Sequence, residues 1–388
     1  MSRRRDVSMA AMSNEIVELL SKLVAIDSVN PSLVPGGAGE GEIAAFVAAW
    51  AQAAGLGVEV LEGTPGRPSV VVRAGGTGAG RVLLLCGHLD TVTVEGMSDP
   101  HSPRVDGDRL YGRGAYDMKA GLAAALIACR EAASRGLAGD VIVAAVADEE
   151  HASLGVQEVL GTLRADAAVV TEPTELELVV AHKGFVWSEV EVIGRAAHGS
   201  RPHLGVDAIV KTGPILTAIG ALDSALDARG HPLLGRPSVH ASVIRGGEEL
   251  SSYPARCVLG LERRTLPGET AADIEAELGS LLNACRAADA ELEAGQRTML
   301  VREPFEISDE ADIVALVRDA AAATLGSPPP IGGASYWADA AFIASAGIPT
   351  VMFGPGGEGA HANEEWVSIS DTDVVARTLV AVAERVCA

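Results

Sequence analysis

The chain has 388 residues, 48% of them hydrophobic and 21% charged, which leaves room for two domains with a sizeable core and rules out a disordered chain. A formal net charge of -22 excludes nucleic acid and anionic membrane surfaces as expected partners, because phosphates would be repelled. The five cysteines (Cys86, Cys129, Cys257, Cys285, Cys387) are scattered without a C-x-x-C pair, so neither a disulfide framework nor a thiolate metal site is expected.

The start is basic at Arg3-Arg4-Arg5 but lacks the apolar stretch of a secretory signal, and no run of about 18 consecutive apolar residues follows. A cytoplasmic protein with a frayed N-terminus is expected. Glu15 to Ile26 has helical periodicity and stops before the turn Ser28-Val29-Asn30-Pro31. Gly41 to Ala54 is again apolar on one face, with Gly55 as its stop, and Val58 to Leu61 and Ser69 to Arg73 read as short Val-rich strands. The tract Gly75-Gly76-Thr77-Gly78-Ala79-Gly80 joins strand to strand and offers no helix N-terminus to a phosphate, so a hairpin turn is expected there instead of a nucleotide loop.

Val82 to Cys86 is too short for an amphipathic helix and reads as a buried strand. It delivers His88 and Asp90 to its C-terminal end, where open α/β sheets place their chemistry. Asp117 follows in the glycine-bounded loop Gly112-Arg113-Gly114-Ala115-Tyr116-Asp117, ahead of a helix from Leu122 to Ser134. Val141 to Ala147 is another apolar strand, ending in Asp148-Glu149-Glu150. Three acids at the tip of a buried strand would repel one another unless a cation shares them. A helix from Leu154 to Leu163 leads to the strand Ala167 to Val170, which ends in Thr171-Glu172-Pro173. Strands that repeatedly end in acids and alternate with helices describe an α/β fold with a mostly parallel central sheet.

At His182 the pattern changes. Strands at Phe185 to Ile193, Ser238 to Ile244, Cys257 to Arg263 and Glu291 to Val301 alternate with helices at Gly205 to Leu226 and Glu269 to Ala287. That order, βαββαβ, is expected to form an inserted ferredoxin-like domain over residues 182–302, leaving 1–181 and 303–388 as one discontinuous α/β domain. The α/β elements resume with a helix from Asp309 to Leu325, Asp309 reading as its cap. A helix from Ala338 to Ala346 and a strand from Thr350 to Phe353 precede Ala360-His361-Ala362, and a helix from Asp371 to Val386 closes the chain.

Collected from strand ends and loops, the candidate site residues are His88, Asp90, Asp117, Glu149, Glu150, Glu172 and His361. Two imidazoles and several carboxylates without a thiolate suit zinc, cobalt or manganese. Such a set serves two divalent ions if one carboxylate bridges, and Asp117 is expected to do so because it lies between the His88 strand and the acidic strand ends. Two ions about 3.5 to 4 Å apart would polarise a carbonyl and activate water, and a remaining carboxylate would carry the proton to the leaving amine.

His88-x-Asp90, Gly112-Arg113-Gly114 with Asp117-Met118-Lys119, Asp148-Glu149-Glu150, Thr171-Glu172-Pro173, Ala197-His198-Gly199-Ser200 and the late His361 resemble the M20 metallopeptidase family. This is the group of acetylornithine deacetylase, succinyl-diaminopimelate desuccinylase, aminoacylase and carboxypeptidase G2. The match is ordered and runs from about residue 15 to 385. The resemblance implies a zinc-aminopeptidase-like catalytic domain with residues 182–302 as a lid and dimerisation domain. It implies His88, Asp117 and Glu172 on one zinc, Asp117, Glu150 and His361 on the other, Glu149 as general base and acid, and Asp90 orienting His88. It further implies that His198 stabilises the oxyanion in the partner subunit of a homodimer, that Arg264 binds the substrate carboxylate, and that Asp339 lies beside the pocket. Ser251 stands where relatives often carry Asn, which weakens any transfer of substrate contacts at that point.

The expected activity is deacylation of an N-acyl amino acid in the manner of acetylornithine deacetylase. A dipeptidase or carboxypeptidase on the same machinery is the first alternative. A binding protein that kept the fold and lost catalysis is a second, and a nucleotide-binding protein, resting on the glycine tract near Gly78, a third.

Overall fold

The computed structural model describes residues 2–388, with side chains from Met12 onward. The chain divides into two compact units, one of Met1–Val180, Ile307–Gly332 and Ala338–Ala388, the other of Ala181–Glu306 with Gly333–Trp337.

In the first unit the strands lie side by side in the order Gly57–Leu61, Ser69–Ala74, Val141–Val146, Leu83–His88, Ala167–Val170, Thr350–Met352 and Leu178–His182. The middle four run parallel, while the two at the first edge and the last strand are antiparallel to their neighbours. Val141–Val146 and Leu83–His88 are buried along their whole length, which is why they appear in the sequence as unbroken apolar runs. Helices α1 (Ser2–Val24), α2 (Gly41–Ala53), α3 (Ala120–Ala133), α7 (Asp312–Leu325) and α9 (Ile369–Val386) send apolar side chains into one core with Val70, Val72, Leu83, Leu85 and Val143. The Ala-rich sequence of α3 lets it settle deeply, with eleven of its residues buried, and the short helix α4 (Leu154–Thr162) lies between strands Val141–Val146 and Ala167–Val170 in the chain.

Several local expectations change. Helix α1 begins at Ser2, inside the stretch read as frayed. The glycine tract from Gly75 to Gly80 is not a hairpin, because strand Val141–Val146 lies between the strands it joins. The tract packs on the Ala138-Gly139 backbone, with Thr77 N–H donating to Leu137 O at 3.2 Å and Gly78 N–H to Ala138 O at 3.1 Å. A Cβ at Gly76 or Gly80 would run into that backbone, so the glycines serve close approach. Helix α7 starts at Asp312 behind Ala311, and Asp309 does not cap it. A small antiparallel sheet of Arg104–Asp106, Arg109–Tyr111, Trp366–Ser368 and Gly357–Glu358 escaped the sequence reading, since strands of two or three residues leave no periodicity.

The second unit holds a four-stranded antiparallel sheet in the order Ser238–Gly246, Arg256–Thr265, Gly184–Ile193, Glu293–Arg302. Helices α5 (Ala208–Ala225) and α6 (Ala271–Ala288) make up the rest of a split βαβ arrangement, and a capping box between Thr270 and Asp273 starts α6. By length and composition alone the helix Ala208–Ala228 is apolar enough to cross a membrane. Its Ala208, Ile215 and Ile219 share a core with Val190, Val192 and Leu259 of the sheet, the packing of a helix in a globular unit.

Candidate metal centre

The parallel strands of the first unit all point their C-terminal ends at one place. His88 is the last residue of its strand, Asp148 to Glu150 follow Val141–Val146, Glu172 follows Ala167–Val170, and the segment reaching His361 follows Thr350–Met352. The small antiparallel sheet pairs Tyr111 with Trp366, which ties the loop carrying Asp117 to the segment carrying His361. His361 itself sits at φ 62°, a left-handed turn that a non-glycine residue adopts only when its surroundings hold it.

Asp117 is the centre of the arrangement. Its Oδ1 lies 3.2 Å from His88 Nε2 and its Oδ2 lies 3.3 Å from His361 Nε2. Glu172 Oε1 is 3.9 Å from His88 Nε2, and Glu150 Oε2 is 3.1 Å from His361 Nε2. Two triads result, His88, Asp117 and Glu172, and Asp117, Glu150 and His361, each with one donor atom per residue and all donors of a triad within 4.8 Å of one another. His88 is buried and its Nδ1 stands 2.9 Å from the Asp90 backbone oxygen. A carbonyl only accepts, so Nδ1 carries the hydrogen and Nε2 faces Asp117 and Glu172.

These residues fit a pair of divalent cations. Burial pushes the Glu172 carboxyl well above its ordinary value, with His88 pulling against it and Asp117, Glu150 and Asp339 adding to it. Burial and the Asp117 charge raise Glu150. Burial also favours a neutral Asp117, but hydrogen bonds from His361 and His88 hold it well below the usual carboxylate range. Hydrogen bonds to Asp117 and Glu150 lift His361 to about 10. The positive partners acting on the three carboxylates are imidazoles, so bound protons do here what cations would do.

Glu149 belongs to neither triad. It is partly buried, and burial followed by the Glu172 charge pushes its carboxyl well above the ordinary value. Asp339 is buried just ahead of helix α8 (Ala340–Ser345), and its charge reaches Glu149 and Glu172. Cys86, two residues before His88 on the same strand, is buried and its thiol is driven up chiefly by burial, which fits packing and not nucleophilic duty.

Two sequence readings place their residues differently. The Asp90 carboxylate stands 3.7 Å from His88 Nδ1 and spends its hydrogen bonds elsewhere, accepting the backbone N–H of Glu149 at 3.1 Å and of Glu150 at 3.2 Å. Asp148 does not join the carboxylate cluster: its Oδ1 meets Arg67 Nη2 at 2.8 Å and accepts from Asn30 Nδ2 at 3.0 Å. Its φ of 68° reverses the chain at the strand tip and separates it from Glu149 and Glu150. Arg67 also forms two bonds to buried Glu40, and Asn30 donates to Asp90 Oδ2 at 2.8 Å. Asn30, Glu40 and Arg67 were invisible as site residues because each is an ordinary polar residue of a loop or helix start in the sequence.

Of the residues in the second unit, His198 is exposed with Nδ1 2.8 Å from Ser200 Oγ. Arg264 lies with its guanidinium 5.0 Å from the Phe185 ring and Nε on Glu262 at 2.8 Å. Its neighbour Arg263 faces the other way and is buried against Glu269 and Glu277.

A family model described as peptidase family M20/M25/M40 matches residues 84–385. An acetylornithine deacetylase of Salmonella arizonae is 30% identical over 366 residues, covering 90% of this chain and 92% of that protein. A tripeptidase from Staphylococcus aureus superposes with a TM-score of 0.78 at 22% identity, over 97% of this chain and 98% of the other. A Bacillus subtilis protein described as a dinuclear metal binding peptidase from the M20 family superposes with a TM-score of 0.75 at 16% identity, over 97% and 99% of the two chains.

Proposed function

The chain belongs to peptidase family M20/M25/M40 and is a metallo-hydrolase; from that premise we propose that it uses two divalent ions to cleave the amide of an N-acyl amino acid. The observation that carries this reading is the single carboxylate of Asp117 turning one oxygen to each imidazole, at 3.2 and 3.3 Å. His88, Asp117 and Glu172 would hold one ion, and Asp117, Glu150 and His361 the other. With nitrogen and oxygen donors only, zinc is the first choice, and cobalt and manganese suit the same set. When bound, the pair supplies Lewis acidity toward a substrate carbonyl and lowers the pKa of water.

The rest of the work falls to the chain. Glu149, free of both triads and with a carboxyl that burial makes basic, takes a proton from water and returns it to the leaving amine. The Asp90 carboxylate keeps Glu149 at its place through the main chain. Residues 182–302 serve as lid and dimerisation domain. His198 from a second copy donates to the developing oxyanion, and Arg264 takes the substrate's free carboxylate as a two-pronged donor. Asp339 contributes its charge to the pocket wall. The homodimer works in the cytoplasm on small substrates, without nucleic acid or membrane.

The name of the 30%-identical relative favours acyl-amino acids. A second reading, cleavage of dipeptides or of C-terminal residues, rests on structural likeness to a tripeptidase and to human carnosine dipeptidase 1. Purified protein, analysed for metal and loaded with zinc or cobalt, is assayed on acetylornithine, succinyl-diaminopimelate and a dipeptide panel. Faster turnover of the acylated amino acids is expected. Dipeptides cleaved while acyl-amino acids stay intact would establish the second reading, and two bound ions without turnover of any substrate would indicate a binding protein.

A further inference from the structure

The loop bearing Asp117 and the segment bearing His361 are far apart in sequence, and both are fastened to the same buried ion pair. Glu365 and Arg113 are 1% and 2% exposed, with Arg113 Nη1 on Glu365 Oε2 at 2.7 Å. Glu365 Oε2 also accepts Gly114 N–H at 2.9 Å, and its Oε1 accepts Tyr116 N–H at 2.9 Å and Asp117 N–H at 3.0 Å. One carboxylate thus satisfies three donors of the same turn, those of Gly114, Tyr116 and Asp117, that would otherwise lack an acceptor. Arg113 uses its remaining prongs on backbone oxygens, Nη2 to Ala362 at 2.8 Å and Nε to Thr93 at 3.1 Å. Ala362 directly follows His361.

We propose that Arg113 and Glu365 are positioning residues that set the distance between the shared carboxylate of Asp117 and the imidazole of His361, and thereby the affinity of one metal position relative to the other. The inference rests on the two-ion reading above. It assigns the two residues different shares. Glu365, on the segment of His361, grips the backbone of Asp117, which both triads use, whereas Arg113, on the loop of Asp117, grips the backbone next to His361, which only one triad uses. A lysine in place of Arg113 would keep the charge opposite Glu365 but supply a point donor instead of a three-way fork.

Metal-free protein is titrated with zinc by calorimetry, as wild type, Arg113→Lys and Glu365→Gln. Wild type takes up two equivalents; failure there would refute the two-ion reading itself. Arg113→Lys is expected to weaken one equivalent by about 10- to 100-fold and leave the other near its wild-type value, the loss typical of groups that orient ligands. Glu365→Gln is expected to weaken both. With two equivalents in wild type, unchanged affinities in Arg113→Lys overturn the proposal, and so does an equal loss of both. A metal-free variant without the wild-type circular-dichroism spectrum overturns it too, because the pair would then support the whole unit and not the ligand spacing.

Discussion

The carboxylate of Asp90 accepts the backbone N–H of Glu149 at 3.1 Å. A side chain two residues beyond His88 therefore fixes the start of the Glu149-Glu150 segment, and Asn30 in turn fixes Asp90 and Asp148 with one amide nitrogen, at 2.8 and 3.0 Å. Asn30→Ala strips both buried carboxylates of a donor. Unfolding in urea should show a loss of about 1–3 kcal/mol, the cost of leaving buried polar groups unmet. Turnover should fall roughly tenfold as Glu149 drifts; a variant with wild-type kcat would show that the amide does not position the site.

Glu149→Gln removes the proposed proton carrier without touching either triad. The expected kcat is about 100- to 10,000-fold lower, with two metal equivalents still bound by elemental analysis. Retained turnover would assign the proton to another group, and lost metal would make Glu149 a ligand.

Metal uptake should release protons. In the metal-free protein, hydrogen bonds to Asp117 and Glu150 raise His361 from 6.5 to about 10. A raised imidazole stabilises the folded metal-free form fully below its unfolded value of about 6.5, and that contribution is lost as pH climbs through about 10. Near pH 8 the ring still carries its proton, which a cation must expel, so apparent metal affinity rises with pH toward 10. Calorimetric titrations near pH 8 in two buffers of different ionisation enthalpy should differ by about one proton or more per protein. Identical heats would contradict the assignment of His361 as a ligand.

Gly121→Ala tests close packing beneath the site. Alanine is favoured over glycine in a helix by about 1 kcal/mol. Here, however, a Cβ would overlap the carbonyl oxygen of Thr171, the residue before Glu172, and two main chains cannot yield as a side-chain end can. The clash should win, destabilising by about 1–3 kcal/mol in thermal or urea unfolding. A stabilised variant would mean that helix α3 can move away from the strand end.

The sequence by itself determined which residues sit at strand tips. His88, Glu149, Glu150 and Glu172 each follow a short apolar run that only a buried strand explains, and the end of such a run is where the chain leaves the core and polar groups become affordable. The glycine-bounded loop added Asp117, and the loop after the Thr350 to Phe353 strand added His361. Tertiary structure alone decided how neighbouring acids part company. The left-handed turn at Asp148 parts its carboxylate, which meets Arg67, from that of Glu150, which joins Asp117 and His361. It also decided what braces the segments around the cluster, since Asn30, Arg67, Arg113 and Glu365 form hydrogen bonds and ion pairs to residues far away in the chain. Periodicity records which side of a strand or helix is buried, whereas such bonds depend on where distant backbones meet, and that is settled only when the sheet and its loops are packed.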